Sequence, residues 1–302
     1  MRALIVGSSG FIGQDLKRHL LAQGSAREGW SRSAERVDEV SYDRYEHHSI
    51  DALDPATLEG RRGSWDVAFQ LAGYSVPGDG FTAREVVDNL RMTAHVLDHL
   101  ARIQPGLRVI VMSSAQVYAP GPGRRREDEP LAPRSAYGLS KELCEVWAQA
   151  RARDLDVVVV RAFNQIGPGM PSGLVVPDLL AALQRGSGPV PMRGADSTRD
   201  FLDVRDGVDA LARLSQVDAP SGSVFNLCRG EGRRISELAA GLMACLGLQR
   251  ELRFAADPPP PLVGDPHKLA RAIGWSPRYA LEDSLREIVA HSARGARPRR
   301  TS

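Results

Sequence analysis

The chain of 302 residues is poor in cysteine, in long apolar runs and in net charge. Its three cysteines, Cys144, Cys228 and Cys245, include no C-x-x-C pair, so neither a disulfide framework nor a thiolate zinc site is indicated. The first apolar run ends at Gly7, which makes it too short for a signal peptide. No later run approaches the roughly 18 apolar residues that cross a bilayer. We therefore expect a cytoplasmic protein that has no membrane partner.

Charge of one sign is also scarce. Lysine and arginine total 39 and aspartate and glutamate total 37, which leaves a net charge of +2. A protein that binds nucleic acid usually carries a much larger basic excess, so we expect no nucleic-acid partner. The basic residues within 293–302 are expected to form a flexible, solvated tail.

Short apolar runs alternate with helical patterns through the first half of the chain. The apolar runs predict strands over 4–6, 67–71, 108–112 and 157–160, and the helical patterns cover 11–21, 84–102 and 136–151. Strands that are apolar throughout and separated by helices belong in a parallel sheet that is covered on both faces. The sequence therefore predicts a doubly wound α/β fold.

After residue 163 the pattern changes. Glycine and proline interrupt it, and the clearest later helical patterns lie at 179–183 and 235–246. We expect a parallel-sheet domain from residues 1–165 with about 200–229, and a smaller mixed α/β lobe from about 166–199 with 230–292. Such a lobe would close the crevice at the carboxyl ends of the strands, where ligands of these sheets bind.

Three glycines separate the first strand from the first helix. Gly7, Gly10 and Gly13 have the spacing G-x-x-G-x-x-G, and Phe11 and Ile12 open the helix. Glycine lets the backbone turn tightly and lets its N–H groups approach a pyrophosphate, which the helix N-terminus also attracts. Because the motif lies between a strand and a helix, it predicts a dinucleotide site.

The end of the second strand decides which dinucleotide binds. A carboxylate there would bind the ribose 2′-hydroxyl of NAD, whereas an arginine accommodates the 2′-phosphate of NADP. Residues 29–33 offer Arg32 and small hydroxyl groups and contain no acid. The sequence therefore favours NADP(H) over NAD(H).

Tyr137 and Lys141 are four residues apart in a helical pattern, so they lie on the same face of the helix. A neighbouring ammonium stabilises a phenolate, and such a pair suits a proton donor. Ser113 and Ser114 follow the apolar part of the fifth strand, and hydroxyls at the carboxyl end of a strand face the crevice. One of these serines and Tyr137 could together hold a carbonyl oxygen.

On these residues the chain resembles the extended short-chain dehydrogenase/reductases, the family of nucleotide-sugar epimerases, dehydratases and reductases. The resemblance covers nearly the whole chain and implies a Rossmann sheet. Further matching stretches are Asp51, L-A-G at 71–73, R-A-F-N-Q-I-G-P-G at 161–169 and R-D-F-L-D-V-R-D at 199–206. The last two look most like those of the reductases that convert GDP-4-dehydro-6-deoxy-D-mannose to GDP-D-rhamnose.

The resemblance implies roles for individual residues. Tyr137 would be the proton donor, Lys141 would bind the nicotinamide ribose, and Ser114 would position the sugar carbonyl. Asn164 and Arg199 match positions that contact the nucleotide diphosphate. The implied cofactor-binding residues are Gly7, Gly10, Phe11, Ile12, Gly13, Arg32, Asp51, Leu71, Ala72, Gly73, Tyr137, Lys141 and Ile166.

Two positions separate the reductases from the dehydratases. Dehydratases of the family carry acids directly after the catalytic hydroxyl, where this chain has Ala115 and Gln116. Neither side chain transfers a proton at neutral pH, so a dehydratase is disfavoured. The expected activity is NADPH-dependent reduction of a nucleotide-activated 4-keto-6-deoxy sugar. An NAD-retaining nucleotide-sugar 4-epimerase and a non-catalytic NADP-binding sensor are the alternatives.

Two segments depart from the resemblance or lie outside it. Prolines occupy 258–261, where relatives often place an arginine near the substrate phosphates, and Arg253 is the nearest substitute. The charged run 124–129 is flanked by prolines, and we expect it to be a mobile, solvated loop.

The helical pattern over 84–102 leads to two expectations. His95 and His99 lie one turn apart, but no third ligand is evident, so no metal site is expected. Enzymes that the chain resembles pair this helix and the helix of Tyr137 across a two-fold axis, which implies a homodimer.

Overall fold

The structure is a computed structural model, and it describes residues 1–33, 45–75 and 81–295. Most of the predicted basic tail, residues 296–302, lies outside the described residues. The strands are β1 (Ala3–Val6), β2 (Ala26–Ser31), β3 (Glu46–Ser49), β4 (Val67–Gln70), β5 (Arg108–Ser114), β6 (Arg124–Arg125), β7 (Asp156–Ala162), β8 (Asn164–Ile166), β9 (Val190–Ala195), β10 (Thr198–Asp203), β11 (Ser223–Leu227), β12 (Gly232–Arg234), β13 (Leu252–Ala256) and β14 (Val263–Gly264). The helices are α1 (Phe11–Ala22), α2 (Ala83–Ile103), α3 (Ala136–Ala150), α4 (Val175–Gln184), α5 (Val204–Leu214), α6 (Ile235–Leu246), α7 (His267–Ile273) and α8 (Leu281–Gly295). None of the described helices is long and apolar enough to span a membrane.

Within the described residues, seven strands form one sheet in the order β11-β7-β5-β4-β1-β2-β3, and each neighbouring pair is parallel. Buried apolar side chains cover both faces, one together with α1 and α5 and the other together with α2 and α3. Both layers exclude water from the strands, which is why β1, the first three residues of β4 and the middle of β7 are apolar. The predicted doubly wound α/β fold is confirmed.

The chain reverses its direction of winding at β1, because β2 lies on one side of it and β4 on the other. The loops that leave the carboxyl ends of β1 and β4 therefore diverge and open a crevice. The loop after β1 carries the three glycines, and the loop after β4 carries residues 71–73. The sheet order therefore brings these two predicted segments together.

A second, smaller group of elements packs beside the sheet. Its apolar core joins α4, α6 and α8 to Ile166 and Phe201. Its strands form a three-stranded sheet, β12-β10-β8, and two pairs, β13-β9 and β14-β6. β8 directly follows β7, and β10 directly precedes α5. Because β8 and β10 pair in parallel, the smaller group is joined to the large sheet at the carboxyl end of β7.

The charged run 124–129, expected to be a mobile, solvated loop, is exposed at alternate residues and has protein partners at the others. Arg124 and Arg125 form β6, which pairs with β14. The Glu127 carboxylate accepts a hydrogen bond from the Asn226 backbone N–H at 2.9 Å, and Arg125 forms an ion pair with Glu129 at 3.0 Å. Asn226 lies 99 residues from Glu127 in sequence, so a local pattern of charges could not reveal this contact.

Candidate active site

The turn between β1 and α1 has a backbone that other residues could not adopt. Gly7 has a φ of +91°, and a Cβ there would lie 2.7 Å from the Ala72 backbone nitrogen. A Cβ on Gly13 would lie 2.1 Å from the Gly7 carbonyl oxygen. Gly10 precedes the helix and supplies no side-chain cap, so the first N–H groups of α1 stay available for an anion. These residues fit the pyrophosphate of a dinucleotide.

A small cavity of about 200 Å³ lies beyond this turn, at the ends of β1 and β2. Arg32 follows the last residue of β2 and lines the cavity, as the sequence predicted for the residue that selects the dinucleotide. Asp51 lines the opposite part after β3, and one of its carboxylate oxygens accepts a hydrogen bond from the Leu53 N–H at 3.0 Å. Leu71, Ala72 and Gly73 complete the wall. The size and position of this cavity suit the adenosine end of the cofactor.

A larger cavity of about 520 Å³ continues from the glycine turn along the carboxyl edge of the sheet. The three predicted catalytic residues Ser114, Tyr137 and Lys141 all line it. Asn164 and Arg199, predicted to contact substrate, line it as well. Among the predicted cofactor residues it also contains Gly7, Gly10, Phe11, Ile12, Gly13, Leu71 and Gly73. Ile166 lines neither cavity, because its side chain is 1% exposed in the core of the smaller lobe.

The N-terminus of α3 positions the tyrosine and the lysine. Ser135 caps this helix by accepting a hydrogen bond from the Gly138 N–H at 3.0 Å. One turn further, the Lys141 ammonium donates to the Met112 carbonyl of β5 at 3.2 Å and lies 5.9 Å from the centre of the Tyr137 ring. Both side chains are largely buried, at 9% and 7% exposure. Lys141 is therefore fixed between the strand and the tyrosine.

The Ser114 hydroxyl accepts one hydrogen bond from protein and keeps its donor free. Its oxygen accepts the Gln116 backbone N–H at 3.2 Å, in the short turn after β5. Its proton is donated to no residue within the described chain, so it remains available to a ligand in the cavity. A hydroxyl serves as donor and acceptor at once, so the accepted hydrogen bond leaves its donor unused.

A second tyrosine lines the same cavity but is unsuited to proton transfer. The Tyr118 hydroxyl donates to the Asn226 side chain at 2.8 Å and accepts from the Arg161 guanidinium at 2.8 Å. Burial is the main cause that raises the pKa of Tyr118 to about 12. Both hydrogen-bonding capacities of this phenol are satisfied by protein, which leaves Tyr137 as the phenol that can serve a ligand.

Arg161 also forms a buried ion pair that the motif analysis did not assign. Its guanidinium lies 2.8 Å from the Glu145 carboxylate on α3, and both side chains are 6% exposed. Ser113 donates to the same carboxylate at 2.5 Å. Burial tends to lower the pKa of Arg161, but the Glu145 and Tyr118 contacts outweigh it and raise that pKa. The pair joins β5, β7 and the helix that carries Tyr137 and Lys141.

The larger cavity is lined by two arginines without an acid partner in the described residues. Arg134 is exposed at the cavity and stands three residues before Tyr137. Arg199 donates to the Thr198 carbonyl at 2.7 Å and to the Pro260 carbonyl at 3.4 Å, and burial lowers its pKa. No Asp or Glu of the described chain lines this cavity. The sequence analysis did not assign Arg134, although its place just before the Tyr137 motif was a signal.

The remaining predictions for this region have mixed outcomes. Asn164 donates to the Asp200 carbonyl at 2.8 Å, which holds its amide beside Arg199. Pro259 lines the cavity wall. Arg253, considered as a substitute for the arginine of relatives, pairs with Glu251 at 2.9 Å and does not line the cavity.

The two histidines of α2 have protein contacts of their own. His95 Nδ1 lies 2.9 Å from the Ala52 carbonyl, and His99 is buried with its ring edge-on to Trp30 at 6.0 Å. Burial lowers the pKa of His99. Within residues 1–33, 45–75 and 81–295, no three His, Cys, Asp or Glu side chains are grouped as metal ligands.

The chain matches one family model, and it aligns over nearly the full length of several known proteins. Residues 3–228 match the model of the NAD dependent epimerase/dehydratase family. The chain is 29% identical to the GDP-6-deoxy-D-mannose reductase of Pseudomonas aeruginosa over 95% of this chain and 96% of that protein. It is 30% identical to the UDP-glucose 4-epimerase of Mycolicibacterium smegmatis over 96% of this chain and 97% of that protein. The solved structure of RMD from Pseudomonas aeruginosa complexed with NADPH is similar, with a TM-score of 0.79, 27% identity and coverage of 96% of this chain and 98% of that one.

Proposed function

Because the chain belongs to the NAD dependent epimerase/dehydratase family of nucleotide-sugar enzymes, we propose that it is an NADPH-dependent reductase of a nucleotide-activated 4-keto-6-deoxy sugar. The proposed substrate is GDP-4-dehydro-6-deoxy-D-mannose and the proposed product is GDP-D-rhamnose. The similarity to a GDP-6-deoxy-D-mannose reductase over nearly the whole chain supports this choice.

One observation carries the proposal. Ser114, Tyr137 and Lys141 line a single cavity in which the two positions after Ser114 are Ala115 and Gln116. Reduction of a ketone needs a proton donor and a group that polarises the carbonyl, and the first three residues supply both. Elimination of water would need a further acid and base, and no carboxylate of the described chain lines the cavity.

The chain's own residues then have distinct tasks. Ser114 donates a hydrogen bond to the C4 carbonyl oxygen and keeps its proton, and Tyr137 transfers one proton to that oxygen as negative charge develops on it. Lys141, fixed by the Met112 carbonyl, stabilises the resulting phenolate and contacts the nicotinamide ribose. NADPH, when bound, supplies the hydride that reduces C4.

The charges of the cavity support a nucleoside diphosphate as the activating group. Arg134, Lys141 and Arg199 contribute three cations, and no acid of the described residues opposes them there. Cations that lack acid partners attract a diphosphate. We assign Arg199 and Asn164 to this diphosphate, with the smaller lobe of about 166–199 and 230–292 supplying the substrate side of the site.

Arg32 supports NADP(H) as the cofactor, and the solved relative with NADPH agrees with it. A second candidate is an NAD-retaining 4-epimerase, which the 30% identity to a UDP-glucose 4-epimerase favours. The two differ in how they use the cofactor, since an epimerase regenerates it within each turnover and a reductase consumes it.

The face formed by α2 and α3 supports a homodimer. Val87 on α2 and Leu139 and Val146 on α3 are 52%, 44% and 62% exposed. Large apolar side chains grouped on two adjacent helices are typical of a surface that a second copy covers.

A cofactor assay tests the proposed function. Purified full-length chain is mixed with GDP-4-dehydro-6-deoxy-D-mannose and NADPH, and the loss of absorbance at the nicotinamide band is compared with the amount of product. Consumption of one NADPH per product molecule is expected. NAD retained through purification, together with interconversion of a nucleotide sugar and no net consumption, would instead establish the epimerase.

A further inference from the structure

We propose that Tyr74 is a determinant of the preference for NADP(H), because its ring holds the Arg32 side chain at the adenosine end of the site. The Arg32 guanidinium carbon lies 5.6 Å from the centre of the Tyr74 ring. Both residues line the small cavity of about 200 Å³. The inference rests on the proposed NADP(H) cofactor and adds a residue that no dinucleotide motif contains.

Arg32 depends on this contact for its orientation. Its side chain is exposed and forms no ion pair and no side-chain hydrogen bond with any described residue. The backbone before it is fixed, because the Ser31 hydroxyl donates to the Ser33 carbonyl at 2.9 Å. A long arginine side chain on a fixed backbone still has many rotamers, and ordering it on binding costs affinity. The aromatic face therefore reduces the number of orientations that the guanidinium samples before a ligand arrives.

The backbone of Tyr74 is fixed by two hydrogen bonds to a buried side chain. Its backbone N–H donates to the Asn89 side-chain oxygen at 2.7 Å, and its carbonyl accepts from the Asn89 amide at 3.1 Å. Asn89 is 1% exposed on α2 and also donates to the Ser140 hydroxyl of α3 at 3.0 Å. The Tyr74 backbone is thus tied through Asn89 to two packed helices, which fixes the point from which its ring extends.

No carboxylate of the described residues pairs with Arg32, and this favours a new anion. An arginine in an ion pair would have to exchange one anion for another, whereas no described residue occupies the guanidinium donors of Arg32. A ribose 2′-phosphate presents two negative charges and planar oxygen pairs that a guanidinium binds bidentately. A ribose 2′-hydroxyl offers neither, so an oriented Arg32 increases the affinity for NADP(H) and leaves that for NAD(H) nearly unchanged.

Binding of two small nucleotides to the full chain tests the inference without any turnover. Adenosine 2′,5′-bisphosphate carries the 2′-phosphate and 5′-AMP lacks it, and calorimetry gives a dissociation constant for each. We expect the wild-type chain to prefer the bisphosphate. Tyr74→Ala should reduce that preference about two- to fivefold, the range of an exposed cation–π contact, and the ratio of the two dissociation constants is the readout because contacts that both nucleotides make cancel in it. Tyr74→Phe, which keeps the ring, should retain the preference.

A double-mutant cycle shows whether Tyr74 acts through Arg32. Arg32→Ala should remove most of the preference, and adding Tyr74→Ala to it should change nothing more. Three outcomes overturn the inference. The first is that the Tyr74→Ala chain keeps the full preference, and the second is that it binds both nucleotides more weakly by the same factor. The third is that Tyr74→Ala reduces the preference as much in the Arg32→Ala background as in the wild type. Loss of the preference in Tyr74→Phe overturns it too, because the hydroxyl and not the ring would then act.

Failure of the proposed cofactor has a different signature. A wild-type chain that binds the two nucleotides equally refutes the choice of NADP(H), and with it this inference, before any variant is compared. Thermal unfolding of each variant accompanies the titrations, so that a loss of fold is not read as a loss of specificity.

Discussion

The Arg161 guanidinium and the Glu145 carboxylate form an ion pair at 2.8 Å, and both side chains are 6% exposed. Glu145 lies one turn after Lys141 on α3, and Arg161 lies near the end of β7, so the pair fixes the catalytic helix to the sheet. The carboxylate receives a further hydrogen bond from Ser113, the neighbour of Ser114. The buried Glu145 carboxylate on α3 thus connects this helix to β5 and β7, and α3 and β5 carry all three proposed catalytic residues.

Removing one partner of this pair should destabilise the protein strongly. Glu145→Ala leaves the Arg161 charge buried without its partner, and we expect the free energy of unfolding to fall by about 3–5 kcal/mol. Urea denaturation followed by circular dichroism measures the loss. The matched control is Arg126→Ala, which breaks an ion pair with Asp128 whose side chains are 65% and 70% exposed and should cost less than about 1 kcal/mol. Equal losses in the two variants would refute the structural importance of the buried pair.

Loss of the Tyr137 hydroxyl should stop the reaction without affecting cofactor binding. Tyr137→Phe keeps the ring, which packs edge-on against Phe81 at 5.6 Å, and removes the only proposed proton donor. We expect kcat to fall about 10²- to 10⁴-fold, since an oriented general acid contributes that much. Steady-state kinetics measures the fall, and fluorescence titration with NADPH shows whether the dissociation constant stays the same. Wild-type turnover in this variant is incompatible with the mechanism.

The close contact at Gly13 predicts a sharp requirement for glycine. A methyl group at this position would lie 2.1 Å from the Gly7 carbonyl oxygen, so Gly13→Ala must displace the turn that offers its N–H groups to the pyrophosphate. We expect NADPH binding to weaken by about 1–3 kcal/mol, or about 5- to 150-fold. Gly188→Ala is the control, because a Cβ there meets nothing within 4 Å. If Gly13→Ala binds NADPH as the control does, the turn does not hold the cofactor.

Asp200 predicts a fall in stability with rising pH. This carboxylate is fully buried on β10, and burial raises its pKa from 3.8 to about 6, although three backbone N–H groups donate to it. Between these two values the folded chain binds a proton that the unfolded chain has released, so the contribution of Asp200 is fully present below pH 3.8 and is lost as the pH rises through about 6. The loss amounts to at most about 3 kcal/mol.

Comparison with Asp200→Asn isolates this contribution. The variant cannot titrate at this position, so the difference in unfolding free energy between wild type and variant should change between pH 4 and pH 6 and stay constant from pH 7 to pH 8. Urea denaturation at several pH values provides the measurement. A difference that does not vary with pH would show that Asp200 has the same proton affinity in both states.

Much of the site was accessible from sequence because its motifs are local. Tyr137 and Lys141 meet since they lie four residues apart on one helix, and Gly7 meets Gly13 across a single turn. The family resemblance drawn from these motifs is confirmed by the match over residues 3–228. The pairing of Arg161 with Glu145, the cavity position of Arg134 and the role of Tyr74 were not predicted, because each depends on which loops and helices the sheet order brings together.

Two expectations show where local reasoning fails. The run 124–129 has the composition of a solvated loop, yet it forms β6 and receives hydrogen bonds from β11, far along the chain. Ile166 lies in a stretch that resembles cofactor-binding sequences, yet its side chain is in the apolar core of the smaller lobe. Charge and motif describe a residue's chemistry, whereas burial depends on the surfaces that pack against it.

The sequence by itself determined the alternation of strands and helices in the first half of the chain, the glycine turn and the pairing of phenol and amine, because these follow from periodicities and spacings shorter than two helical turns. Only the tertiary structure decided that β1 lies between β2 and β4, and therefore that Arg32, Asp51 and residues 71–73 surround one cavity. It also decided that Arg134 and Arg199 meet the catalytic residues across a space that no described carboxylate lines. Contacts between distant segments depend on the global packing that minimises exposed apolar surface, and no short stretch of sequence contains that information.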